Sequence, residues 1–75
     1  MTDREYSRDE LEAAIWQWTL GRNGERDRMI LRMYLFDGIT YNEMLKRLHD
    51  EGYTIEIDRL KKIISHRKEQ LFRHI

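Results

Sequence analysis

The 75-residue sequence contains neither cysteine nor proline. Without cysteine there is no disulfide framework and no thiolate metal site, so helix or sheet packing has to hold the fold, helped at most by oligomerisation. Glycine occurs at four positions only, 21, 24, 38 and 52, and each reads as a turn residue. No glycine-rich phosphate loop can be built from them. No apolar run approaches the roughly 20 residues that span a bilayer. The charged start MTDREYSRDE also lacks the apolar region of a secretory signal, so a cytoplasmic protein without a membrane partner is expected. The histidines, His49, His66 and His74, are scattered, and none has the H-E-x-x-H spacing of a zinc site. Acidic neighbours occur at Asp9–Glu10 and Asp50–Glu51. Acid–base chemistry, however, needs a cleft, and a chain this short offers little. A non-enzymatic protein with no cofactor, metal or small-molecule substrate is the expectation.

What is abundant points to helices. Charged residues make up 37% of the chain, and Leu, Ile, Met, Glu, Lys and Arg dominate the rest of the pattern. These are good helix formers, and the composition favours an all-α domain over a sheet. One domain is all the length allows, and a domain of this size buries only about 60% of the surface its unfolded chain exposes. The core is therefore thin.

Periodicity and capping signals divide residues 1–75 into four helices, at about 8–20, 25–36, 41–49 and 58–73. Ser7 with Glu10 fits a capping box, and Gly21 supplies a stop. Leu11, Ala14, Ile15 and Trp18 share one face of the first helix, while Trp16 points elsewhere. Two readings of Trp16 follow, packing against the C-terminal helix or a dimer surface. The acidic Glu25 and Asp27 suit a helix start. From Met29 to Phe36 apolar residues cover most of the helix circumference and leave Arg28 and Arg32 as a polar stripe. Such a helix needs neighbours on several sides and predicts a central strut; its apolar excess joins Trp16 as a candidate dimer surface. Thr40 with Glu43 predicts a second capping box, with Ile39 and Met44 as a hydrophobic staple. Tyr41, Met44, Leu45 and Leu48 then form an apolar face that ends near Gly52.

After Gly52, YTIEI alternates apolar and polar residues. Extended backbone and a helical turn capped by Thr54 are both compatible with it; extended backbone makes Asp58 the N-cap of the last helix. In that helix Leu60, Ile63, Ile64, Arg67 and Leu71 face the core. Arg67 is the misfit, and its stem can pack while the guanidinium reaches solvent or pairs with an acidic residue of the body. Spacing places Lys62, Ser65, His66, Glu69 and Arg73 on the opposite face, with Arg59, Lys61 and Lys68 on the flanks.

The formal net charge is zero but unevenly distributed. Residues 1–58 carry eight Lys/Arg against thirteen Asp/Glu, a balance of −5, while residues 59–75 carry six Lys/Arg against Glu69 alone, a balance of +5. The C-terminal helix is a basic element on an acidic body. Cations near a helix C-terminus complement its dipole; a cluster of them also attracts an anionic partner. As a membrane-surface helix it is poorly suited, because it lacks Trp and carries Glu69 on its polar face.

The stretch from Glu25 to Leu48, ERDRMILRMYLFDGITYNEMLKRL, resembles the start of region 4 of bacterial sigma factors and related helix-turn-helix regulators. The matching features are the helix from Arg26 to Tyr34, the Asp37–Gly38 stop, and Thr40, Tyr41, Glu43, Met44 and Leu48. They cover about a third of the chain. The connection departs from the sigma pattern, because HDE stands between Leu48 and Gly52. The run LKRLHDEGYTI looks more like helix-turn-helix segments of recombinases, transposases and phage regulators. The resemblance implies a four-helix bundle containing a helix-turn-helix with an extended turn. It also implies double-stranded DNA as partner, transcription regulation as activity, and a phage or mobile element as the setting. In such proteins the helix after the turn enters the major groove with its N-terminal half. Lys62, Ser65 and His66 then become the candidates for base edges. Arg59, Lys61, Lys68 and Arg73 become candidates for phosphates, positioning the helix without reading sequence. A homodimer spanning two half-sites, with Trp16 at its surface, or RNA polymerase as a larger partner, would supply the contacts one small module lacks. The alternative expectation is a protein-interaction module of the same fold, docking its basic helix on RNA polymerase or another acidic partner.

Overall fold

A computed structural model describes residues 6–74 of the protein, with His74 described in backbone only. The first five residues of the charged start and the side chain of His74 lie outside the described residues. Among the described residues the chain forms four helices and no strand: α1 (Arg8–Trp18), α2 (Gly24–Arg32), α3 (Tyr41–Asp50) and α4 (Ile57–His74). A π-helical turn, Met33–Asp37, extends α2. The result is a small all-α bundle, as the composition predicts.

Local signals set most helix ends. Ser7 and Glu10 form the complete capping box of α1. Thr40 Oγ1 accepts from the Glu43 amide at 3.2 Å. The reciprocal half of the expected second box is missing, because the Glu43 carboxylate turns to Arg47 at 3.6 Å instead. Gly38, at φ 61°, occupies the left-handed region and donates its N–H to the Met33 carbonyl, a five-residue span that closes the π turn.

Three boundaries differ from expectation for tertiary reasons. First, α1 stops at Trp18 rather than Leu20. Thr19 is buried, its hydroxyl donates to the Ile15 carbonyl, and Leu20 is left 73% exposed. Second, the stretch expected to be one regular helix over 25–36 starts at Gly24 and turns π-helical after Arg32. Both the regular part and the widened turn serve two cores. Ile30 and Met33 enter one core, whereas Leu31, Leu35 and Phe36 pack in the other. Third, α4 begins at Ile57, and the Leu60 amide bonds the Glu56 carbonyl at 3.0 Å, so Asp58 lies in the first turn and is not the N-cap.

Residues 53–56 are neither helical nor paired as a strand. Tyr53 and Ile55 pack against the core while Thr54 and Glu56 are exposed, so the alternation in YTIEI is realised as an extended connection. The Tyr53 amide ties it back to the Leu48 carbonyl at 2.8 Å.

Two cores result. Ile30, Met33, Met44, Leu48, Leu60, Ile63 and Ile64 join α2, α3 and α4. Ala14, Ile15, Leu31 and Leu71 join α1 to α2 and to the C-terminal part of α4. Each fully buried Leu or Ile stabilises by about 1.5–3 kcal/mol relative to exposure. Because α2 serves both cores, its apolar excess is used internally and does not form a free dimer surface. That corrects the sequence reading for α2 and bears out its role as the central strut.

Candidate nucleic-acid interface

The basic residues of α4 fall on three lines along the helix. Outermost, Lys62, Ser65 and Arg73 are exposed together with Asp58 and Glu69. Arg73 forms an i,i+4 pair with Glu69 at 2.8 Å. Two acids interrupt this line, so its net charge is small.

On the flank toward α3, Lys61 lies 5.5 Å from the centre of the Tyr41 ring. Lys68 lies 5.2 Å from the Tyr34 ring centre, and its Nζ is 3.3 Å from the Tyr34 hydroxyl. Both separations are within cation–π range. These two cations are held by aromatic side chains rather than by carboxylates, which keeps their charge available.

On the flank toward α2, Arg59, Lys62 and His66 share a side by their i, i+3, i+7 spacing. They line a cleft of about 310 Å³ with Asn23, Arg26, Asp27 and Arg67. None of the three forms an ion pair or hydrogen bond with another described residue. The floor of the cleft explains the Arg67 misfit. Asp27, only 3% exposed, accepts from Arg67 Nε at 3.0 Å and Nη2 at 2.8 Å, and Arg26 approaches its other oxygen at 2.9 Å. Arg67 Nη1 also donates to the Trp18 carbonyl at 2.8 Å and to Gln70 at 3.1 Å. A buried charge persists only when paired and fully hydrogen-bonded, and this one is. The network fixes the C-terminus of α1, the first turn of α2 and the middle of α4 in one place. The acidic residue of the body that the sequence predicts for Arg67 is thus Asp27, 40 positions away.

The α1–α2 corner is further constrained by Gly24. A Cβ there would lie 1.7 Å from the Thr19 carbonyl oxygen, so only glycine allows the two backbones to approach. Arg28 reaches across the corner to the Thr19 carbonyl and hydroxyl, 3.3 Å each. Its guanidinium covers the Trp16 ring at 3.8 Å. Trp16 therefore packs on α2 and not on α4, and remains 50% exposed at the edge of a groove. That groove balances Arg28, Arg32 and Arg47 with Glu25, Asp37 and Glu51.

The structure thus brings Arg59, Lys62 and His66 together and separates them from Lys61 and Lys68, with Ser65 and Arg73 on the outer line. Asn23 and Arg26, which belong to the same cleft, escape a reading of the sequence; the hydrophilic RNGER stretch marks a helix start but carries no sign of its distant neighbours. Among the described residues no cluster of His, Asp and Glu could hold a metal ion, and no helix is long and apolar enough to cross a membrane. Comparison of the chain with protein-family models, curated proteins and solved structures finds no match.

Proposed function

We propose that the protein is a small, non-enzymatic regulator that binds double-stranded DNA, with α3 as the supporting helix and α4 as the recognition helix. The observation that carries this reading is that four cations of α4, Arg59, Lys61, Lys62 and Lys68, are free of carboxylate partners among the described residues. Acids elsewhere on the body are abundant. Sterically accessible, unpaired cations on both flanks of one helix suit a helix lying between the two phosphate backbones of a groove. Ser65 faces outward between the flanks, where base edges would lie, and Lys62 borders it on the α2 flank. The extended connection 53–56 separates α3 from α4 and leaves the N-terminal half of α4 open.

The test is duplex binding measured by fluorescence anisotropy with a random DNA sequence over a salt series. Wild-type protein binds at low salt, with a log–log slope set by the number of phosphates neutralised. Lys61→Ala combined with Lys62→Ala weakens binding, and the slope falls by about 0.9 for every phosphate that is no longer neutralised. Unchanged binding by the double variant would remove α4 from the interface.

One feature favours a second reading, docking on RNA polymerase or another acidic protein. Asp58 and Glu69 punctuate the outermost line of α4, a charge alternation better suited to a protein surface than to phosphates. Absence of any duplex binding at low salt would support it. A homodimer through Trp16 belongs to the DNA reading, because two copies would reach half-sites about 34–36 Å apart.

A further inference from the structure

We infer that the cleft between the first turn of α2 and the α4 flank seats one phosphodiester group of the duplex backbone, with α2 contributing to the contact. The inference rests on the DNA-binding reading and adds a site to it.

Charge distinguishes this cleft from its neighbour. With His66 neutral, the residues lining it carry a formal net charge of +3, whereas the Trp16 groove on the other side of α2 carries three arginines and three carboxylates and nets zero. An anion is drawn to the first and has no reason to prefer the second. Geometry leaves that charge accessible. The only carboxylate lining the cleft is Asp27, buried beneath two guanidiniums and hydrogen-bonded to both, so it does not face an incoming phosphate as a bare charge. Pairing with Asp27 also holds Arg26 and Arg67 in fixed orientations, which lowers the entropy lost when they meet an anion. Above that floor, Arg59, Lys62 and His66 stand at the mouth without intramolecular partners. Asn23, whose side chain is exposed and makes no capping hydrogen bond to α2, completes the rim. Size fits as well. A volume of about 310 Å³ holds a phosphoryl group together with several waters of about 30 Å³ each.

A shared seat has a signature that separate surface contacts lack. Arg59→Gln alone should lower the salt slope of random-duplex binding by much less than about 0.9, the value for one phosphate, because Lys62 still neutralises the group. Arg59→Gln with Lys62→Gln should lower it by about 0.9, because both cations serve the same group; two independent contacts would lower it by about 0.9 singly and about 1.8 together. Arg8→Gln, which removes one positive charge from α1, leaves the slope unchanged. In a parallel NMR titration of the full chain, duplex should shift the amides of 23–26 on α2 together with those of 59–66. Inorganic phosphate should shift the same amides more weakly. Duplex binding with a slope that is unchanged or falls by about 1.8 for the double variant, or with silent amides at 23–26, overturns the seat and leaves the DNA reading standing. No duplex binding at low salt overturns both. Saturation by inorganic phosphate without duplex binding overturns the assignment of the seat to a DNA backbone.

Discussion

Replacing Asp27 by Asn tests whether the buried carboxylate holds the bundle together. The substitution keeps size and shape but removes the charge that pairs Arg67 and Arg26. Breaking a buried ion pair by neutralising one partner costs about 3–5 kcal/mol, because the other charge stays desolvated. Here the low end applies. The Arg67 and Arg26 side chains retain 23% and 17% exposure, so water partly compensates the orphaned guanidiniums, whereas the Asp27 side chain retains 4%. A loss of about 3 kcal/mol compares with a total stability of roughly 4–11 kcal/mol for a domain of this length. Each kcal/mol moves the midpoint of a domain this size by about 4–8 °C, so Asp27→Asn should lower Tm by about 12–24 °C, followed by circular dichroism at the helix band. Arg67→Gln should cost as much or more, since it also abandons the Trp18 carbonyl at the end of α1. The double variant should lose less than the sum, by a coupling of about 0.5–3 kcal/mol. A fall of less than about 4 °C for Asp27→Asn would mean that the network behaves like an exposed ion pair, and the account of the α1–α2–α4 junction would be wrong.

Two further substitutions probe elements that set the site. Gly24→Ala gains about 1 kcal/mol of helix propensity but places a Cβ against the Thr19 backbone, where overpacking costs about 1–3 kcal/mol or more; a net loss in urea unfolding is expected, and an unchanged or raised midpoint would contradict the close approach. Thr40→Ala removes the acceptor for the Glu43 amide and should cost about 1 kcal/mol, with Tm lower by about 4–8 °C, and a neutral result would show that the extended Ile39 entry rather than the cap fixes α3.

Elements specified by neighbours in sequence are legible without any tertiary structure. The four helices, the Ser7 capping box, the Gly38 stop and the apolar faces of α3 and α4 depend on contacts three or four residues apart, and periodicity encodes those directly. Departures occur where distant parts meet. Leu20 belongs to the pattern of α1, but Thr19 is taken into the core by Arg28 and by the backbone of Gly24, so the helix ends early. The π turn at Met33–Asp37 is likewise invisible in MYLFD, whose apolar pattern is equally compatible with a regular helix. Glu43 shows the same rule on a smaller scale. Its sequence position suits the capping box, yet Arg47, one turn along α3, offers its carboxylate a cation.

The candidate site divides in the same way. That α4 is basic follows from counting charges, but the availability of each charge depends on what tertiary structure places beside it. Arg67 and Arg26 are paired with Asp27, and Arg73 with Glu69, whereas Arg59 and Lys62 have no carboxylate partner among the described residues. Of these residues, sequence alone sets apart only Arg67, by its place on the core-facing stripe of the helix. The fold sorts them, and in doing so it uses Asp27, an acidic residue from the body, to orient cations rather than to cancel them. The zero net charge of the chain is thus a poor guide to what it attracts, because the cations grouped on one flank of α4 act together.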